Sequence, residues 1–161
     1  MLHLHGVLMS IHDKGVLLTG KPASGKSENA LALLTRGHQL VADDAPLFFK
    51  KSDQWVGKAS PTQRGLLCVR NLGLIDVIQL FGQRALHDEI ALELIIALDN
   101  SVHEVAPQRL DLELVSKLFD SMTLPTLTLP IATSHNVAIL IETAVKLAFM
   151  PKSAKIEQVL E

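Results

Sequence analysis

One segment of this chain has residue types and spacing that could do chemistry directly. It matches the phosphate-binding template G-x-x-x-x-G-K-[ST] and consists of Gly20, Lys21, Pro22, Ala23, Ser24, Gly25, Lys26 and Ser27. Backbone N–H groups of such a loop can surround the oxygens of a di- or triphosphate. Lys26 would add positive charge near the β and γ phosphates, and Ser27 would offer a hydroxyl to Mg²⁺. The spacing therefore predicts a nucleotide site.

The runs on either side of this loop suit that role. Residues 16–19 are apolar and partly β-branched, which favours a strand, whereas residues 27–34 are rich in strong helix formers. This order would place the positive end of a helix dipole at the phosphates. The alternative is a glycine-rich turn that opens an ordinary helix, and the flanking runs argue against it.

Two adjacent carboxylates, Asp43 and Asp44, follow the apolar run 38–42. A carboxylate at the end of a strand beside the phosphate loop lies where open α/β sheets bind ligands. Because side chains alternate along an extended chain, one carboxylate can face a metal and the other a phosphate acceptor. A solvated acidic turn is the alternative. Asp99, which follows the apolar run 90–98, is a second candidate for the metal-side acid.

The histidines near the N-terminus offer a weaker signal. His3 and His5 share one face of a predicted strand, so a metal pair is conceivable, but no third ligand follows at a recognisable spacing. His5 precedes Gly6 in a hairpin that leads to the phosphate loop. We interpret His5 as a contact to phosphate or acceptor, with a structural histidine as the alternative.

Composition limits the classes of protein to consider. The chain has 161 residues, of which 48% are hydrophobic and 20% charged, which predicts one compact domain over residues 1–161. The formal net charge of −2 argues against nucleic acid or an acidic membrane surface as a partner. A single cysteine, Cys68, and an N-terminus without a signal-peptide pattern favour a cytoplasmic protein without a membrane span.

Periodicity and turn residues predict an α/β fold with a large sheet and few helices. The predicted helices are 26–35, 110–119 and 137–149, and segment 71–82 is a loop or a short helix. The first two strands should pair as a hairpin. The predicted strands cover residues 4–11, 16–19, 38–42, 47–49, 54–56, 66–69, 90–98 and 127–131.

Several motifs, in this order, resemble the catalytic domain of bacterial HPr kinase/phosphorylase. They are His5-Gly6, the loop through Glu28, and segments 36–44, 70–77, 80–82 and 136–142. The resemblance covers nearly the whole chain. It implies a P-loop nucleotide-binding fold with a large mixed sheet, of the phosphoenolpyruvate carboxykinase-like type, in a short form that lacks the family's N-terminal domain.

The resemblance also implies a function. The family uses ATP or pyrophosphate to phosphorylate a serine of HPr, the phosphocarrier of the sugar phosphotransferase system, and reverses this by phosphorolysis. It is typically homo-oligomeric, as a hexamer. By resemblance, Asp43 would be the base, His5 would assist near the transferred phosphate, Lys26 would bind the phosphates, and Ser27 and Asp44 would hold Mg²⁺.

This chain departs from the family pattern at several positions. Cys68 replaces a metal-side glutamate, and a soft thiol is a poor ligand for hard Mg²⁺. Ala132 and His135 replace two arginines, and Pro22, Ala23 and Ser24 make the loop less glycine-rich. Two alternatives to an HPr kinase therefore remain: a catalytically weakened nucleotide-binding sensor or interaction module, and a kinase for another acceptor.

Overall fold

The computed structural model describes residues 2–101 and 112–160, which form ten strands, four α-helices and a short 3₁₀ turn. The helices are α1 (Lys26–Thr35), α2 (Val77–Phe81), α3 (Val137–Ala148) and α4 (Ala154–Leu160). The strands are β1 (Val7–Ile11), β2 (Lys14–Thr19), β3 (Gln39–Ala42), β4 (Leu47–Lys51), β5 (Gln54–Lys58), β6 (Leu66–Val69), β7 (Gly73–Asp76), β8 (Glu89–Asp99), β9 (Val115–Phe119) and β10 (Met122–Pro130).

Strand β8 organises the larger sheet. The strand order is β3-β1-β2-β8-β10-β9, and β8 runs parallel to both β2 and β10. The first residues of β8 pair antiparallel with β5, which pairs in turn with β4. Strands β6 and β7 form a separate two-stranded sheet. The predicted large mixed sheet is confirmed.

The β1–β2 hairpin has the tight turn that its sequence favours. Ile11 pairs with Lys14, so only His12 and Asp13 form the loop, with φ values of 51° and 65°. Two consecutive positive φ angles are typical of a type I′ turn, whose twist matches that of the flanking strands. The predicted pairing of the first two strands is confirmed.

The sheet is buried on both faces. Leu18 and Ile96 pack in one hydrophobic cluster with residues of α1 and α3, whereas their neighbours Leu17 and Ile95 pack in a second cluster with Phe48 and Trp55. Burial on both faces explains why β2 and the second half of β8 are continuously apolar rather than alternating. Among the described residues, no helix has both the length and the apolar character needed to cross a membrane.

The prediction of a helix over residues 110–119 was wrong for its second half. Residues 115–119 form β9, which pairs antiparallel with β10, while residues 110 and 111 lie outside the described part of the chain. A short segment followed by the turn at Asp120, whose φ is 57°, gains more from hairpin pairing than from isolated helix formation.

Two further segments differ in detail from the predicted secondary structure. Segment 71–82 contains strand β7 and helix α2, and the Asp76 carboxylate caps α2 by accepting a bond of 3.1 Å from the Gln79 N–H. Strand β10 begins before Pro125, not after it. Proline has no N–H to donate to a neighbouring strand. Pro125 is tolerated because it lies opposite β9 on one side, while the pairing with β8 on the other side starts only at Thr126.

An ion-pair cluster joins the end of α1 to α3. Arg36 donates two bonds, of 2.8 and 2.9 Å, to the two carboxylate oxygens of Glu142, and His38 Nε2 lies 2.6 Å from Oε2 of the same group. These bonds, chiefly those from Arg36, lower the pKa of Glu142 to about 2 from its usual 4.5. The ionised carboxylate therefore stabilises the packing of α3 against α1.

We expect this carboxylate to make stability fall in acid. Because the pKa of Glu142 is lower in the folded state, its contribution is complete above pH 4.5 and is lost as the pH falls toward about 2. In urea unfolding across this range, wild type should lose stability relative to Glu142→Gln. Parallel pH profiles for the two proteins would contradict the prediction.

Candidate functional site

The predicted phosphate loop lies between the end of β2 and the start of α1, as its flanking runs indicated. Ala23 and Gly25 have left-handed backbone angles, with φ of 66° and 91°, and Gly25 is the N-cap of α1. Alternation of right- and left-handed residues turns successive N–H groups to one side and creates a concavity that suits an anion. The free N–H groups of the first turn of α1 face the same concavity.

The first glycine of the loop is required by close packing. A Cβ atom at Gly20 would collide with Ser24 Oγ and would lie 2.9 Å from the carbonyl oxygen of Leu98. Ser24 is only 4% exposed, and its Oγ is buried without a hydrogen-bond partner among the described residues. A buried hydroxyl without a partner is uncommon, and a phosphate oxygen is a group that would satisfy it.

The Lys26 side chain folds back onto the loop. Its Nζ donates to the carbonyl oxygens of Gly20 at 2.8 Å and Lys21 at 3.3 Å. A polyphosphate would offer the ammonium stronger acceptors than two neutral carbonyls. The lysine is thus held at the loop in a position from which it can turn to a bound anion.

Strand pairing brings the other predicted residues to the same edge of the sheet. Val7 pairs with Leu18, so His5 and Gly6 lie beside the end of β2, and the Gly6 N–H donates to the Asp44 carbonyl at 2.8 Å. His5 is exposed at this edge. The start of β1 and the ends of β2 and β3 therefore meet around the phosphate loop.

Asp43 and Asp44 differ in environment, although the chain is not extended here as predicted from the sequence, because β3 ends at Ala42. Asp43 is half-buried, and its Oδ2 accepts a bond of 2.9 Å from the backbone N–H of Cys68. Burial raises the pKa of Asp43, while the N–H groups of Cys68 and Asp44 and the charge of Lys26 act in the opposite direction. Asp44 is exposed, with φ of 69°. The raised pKa makes the Asp43 carboxylate a stronger base than an ordinary aspartate, and Asp44 is the more exposed of the two carboxylates.

Three residues outside the loop depart from the pattern of the family that the sequence resembles. Cys68 is exposed on β6, with its backbone against Asp43. His135 lines a shallow groove between α1 and the start of α3, together with Asn29. Ala132 lies in the turn that precedes α3.

Two asparagines that no sequence motif indicated contact the loop. The Asn29 side chain donates to the Gly25 carbonyl at 2.8 Å, and the Asn100 side chain lies 3.4 Å from the Ala23 carbonyl. Asp99, the second candidate for the metal-side acid, ends β8 and accepts bonds from the N–H and hydroxyl of Ser101. Within residues 2–101 and 112–160, His3 and His5 belong to no group of three metal-ligating side chains.

A family model described as the HPr serine kinase C-terminal domain matches residues 1–159. HPr kinase/phosphorylase of Lacticaseibacillus casei strain BL23 is 40% identical over 142 residues, which are 88% of this chain and 44% of that protein. The protein of the same name from Xanthomonas campestris pv. campestris strain B100 is 42% identical over 148 residues, which are 89% of this chain and 47% of that protein. The chain thus spans less than half the length of these curated relatives.

A solved structure has the same fold. The HPr(Ser) kinase/phosphatase from Coxiella burnetii superposes with a TM-score of 0.83 at 31% sequence identity, covering 91% of this chain and 89% of that one. This agreement extends over nearly all of the sheet and helices described above.

We expect the Lys26 ammonium to carry much of the affinity for a nucleotide. A charge-assisted hydrogen bond contributes about 1.5–3 kcal/mol, so Lys26→Met should weaken ATP binding about 10- to 100-fold. Titration calorimetry of ATP into the protein measures this directly. Lys21→Met is the matched control, because Lys21 contributes its backbone carbonyl to the contact with Lys26. Equal losses in the two variants would contradict a specific role for Lys26.

Proposed function

The chain belongs to the HPr serine kinase C-terminal domain family, and from this premise we propose that it is an ATP-dependent protein serine kinase/phosphorylase. The proposed acceptor is a serine of the phosphocarrier HPr, with ATP or pyrophosphate as phosphate donor and phosphorolysis as the reverse reaction. We also propose that residues 1–161 act as a single catalytic domain in a cytoplasmic homo-oligomer, as a hexamer.

The observation that carries this proposal is the environment of Asp43. Its half-buried carboxylate has a raised pKa, is held by the Cys68 N–H, and lies close enough to Lys26 for their charges to interact. In the kinase direction, Asp43 takes the proton of the serine hydroxyl, whose oxygen forms a bond to the terminal phosphorus as the bond to the leaving phosphate breaks. In the reverse direction, Asp43 activates inorganic phosphate.

The remaining proposed site residues bind and orient the phosphates and the metal ion. The loop from Gly20 to Ser27 holds the phosphates through its N–H groups, and the Lys26 ammonium turns from the loop carbonyls to the phosphate oxygens. His5, exposed at the same edge, assists near the transferred phosphate. Ser27 and Asp44 offer the hard oxygen ligands that would hold Mg²⁺, which neutralises phosphate charge when bound.

Phosphoryl transfer to HPr tests this function. With γ-labelled ATP, Mg²⁺ and purified HPr, wild type should label HPr, and Asp43→Asn should lower the rate about 10²- to 10⁴-fold, the usual contribution of a positioned base. The matched control is Asp13→Asn, in the distant hairpin turn, where φ of 65° suits asparagine. No labelling by wild type, or equal rates for wild type and Asp43→Asn, would overturn the proposal.

A second candidate function is a nucleotide-binding sensor or interaction module with little turnover. The observation that favours it is the exposed thiol of Cys68, whose backbone N–H bonds to Asp43, at a position where the resemblance implies a metal-side glutamate. ATP binding that depends on Lys26, without transfer to HPr, would support this candidate. Labelling of another hydroxyl acceptor, but not of HPr, would instead point to a kinase for that acceptor.

Replacement of the thiol separates these candidates further. If the missing carboxylate limits metal binding, Cys68→Glu should tighten Mg²⁺ binding in the presence of nucleotide and raise the transfer rate. Cys68→Gln has nearly the same size without the charge and should do neither. Because the bond to Asp43 comes from the backbone of residue 68, both variants should keep the base in place. Similar Mg²⁺ affinity in all three proteins would contradict a metal-side role for this position.

A further inference from the structure

A second group of metal-ligating side chains lies at the other end of α1 from the phosphate loop. A ring nitrogen of His12, a ring nitrogen of His38 and a carboxylate oxygen of Glu142 all lie within 4.8 Å of one another. They come from three separate elements: the β1–β2 turn, the connection from α1 to β3, and α3. Elsewhere in the described ranges, no other three such side chains approach this closely.

The His12 ring is not satisfied by the protein alone. Its Nε2 is buried and has no hydrogen-bond partner among the described residues. The ring packs edge-on against His38, with centroids 4.9 Å apart and an interplanar angle of 81°. A buried nitrogen without a partner costs stability unless some group occupies the space before it. The neighbouring ligand atoms belong to another imidazole and a carboxylate, both of which are groups that coordinate metal ions.

We propose that His12, His38 and Glu142 form a binding site for a divalent transition metal of the zinc type. Two imidazoles and one carboxylate are a ligand set that zinc accepts, with water in a fourth position. The same set suits cobalt and nickel, whereas Mg²⁺ prefers oxygen ligands only.

The observed distances allow the ion to enter with small side-chain shifts. Zinc bonds to nitrogen and oxygen of about 2.0–2.1 Å place two tetrahedral ligand atoms about 3.3 Å apart. The ion would displace the proton shared by His38 Nε2 and Glu142 Oε2, now 2.6 Å apart, and these atoms would separate slightly. His12 would move closer by rotation of its ring.

The surroundings support coordination. Arg36 also donates to Glu142 Oε1, so it can keep orienting the carboxylate while Oε2 binds the ion, which is the usual role of an outer-shell partner. A metal here would link the hairpin turn to both α1 and α3.

This site is separate from the proposed nucleotide site. The ten residues of α1 span about 15 Å, with Lys26 at one end and Arg36 just beyond the other. A metal at this cluster would therefore not touch the phosphates. Because binding needs no nucleotide, failure of this proposal and failure of the kinase assignment are distinguishable.

Cobalt(II) titration of the chelator-treated full chain, without nucleotide, tests the site. Wild type should bind one equivalent with the visible absorption of low-coordinate cobalt, and Zn²⁺ should displace it and raise the melting temperature. His12→Asn removes a ligand yet suits the positive φ of the turn, so the fold should persist. Loss of an outer-shell partner already costs 10- to 100-fold, so loss of this ligand should weaken binding at least about 100-fold.

The matched control is His87→Gln. His87 also has a buried ring nitrogen without a partner, but it belongs to no group of three described ligands, so its replacement should leave cobalt affinity unchanged. Absence of stoichiometric cobalt binding by wild type would overturn the proposal. Equal affinities of wild type and a folded His12→Asn variant, with circular dichroism as the check on folding, would overturn it as well.

Discussion

Parallel pairing of β2 with β8 is the interaction on which the arrangement of the candidate site depends. It sets Thr19 opposite Ala97, so that both strands end at the same edge, and it brings the Leu98 carbonyl within reach of Gly20. The loop can turn into α1 only because no Cβ stands at Gly20. The β1–β2 hairpin and the β1–β3 pairing then carry Gly6 and Asp44 to that edge. A shift in the register of β2 would separate the loop from Asp43 and His5 together.

Local signals in the sequence were sufficient for most of this arrangement. The apolar run before Gly20 and the helix formers after Ser27 predicted strand, loop and helix because each is a property of neighbouring residues. The pair Asp43-Asp44 after an apolar strand predicted carboxylates at the edge of the sheet where the loop lies. Segment 110–119 was different, since the strand at 115–119 depends on pairing with β10. Local propensity carries no information about which strand will pair with this segment.

Contacts between residues that are far apart in the sequence could not be predicted for the same reason. Glu142 lies more than a hundred positions from Arg36 and His38, and nothing in the spacing of these residues indicates that they meet. The environment of Asp43 likewise depends on contacts that the sequence does not predict. Its burial and its bond to the Cys68 N–H depend on how the β6–β7 sheet lies against β3, so the sequence could nominate the carboxylate but not its raised pKa.

The bond between Cys68 and Asp43 has an evolutionary consequence. The donor is a main-chain N–H, which every amino acid except proline supplies, so the position of the carboxylate does not constrain which side chain residue 68 carries. A lineage can exchange that side chain and keep the position of the Asp43 carboxylate. A change at position 68 to or from an acidic side chain therefore need not alter the scaffold that holds the Asp43 carboxylate.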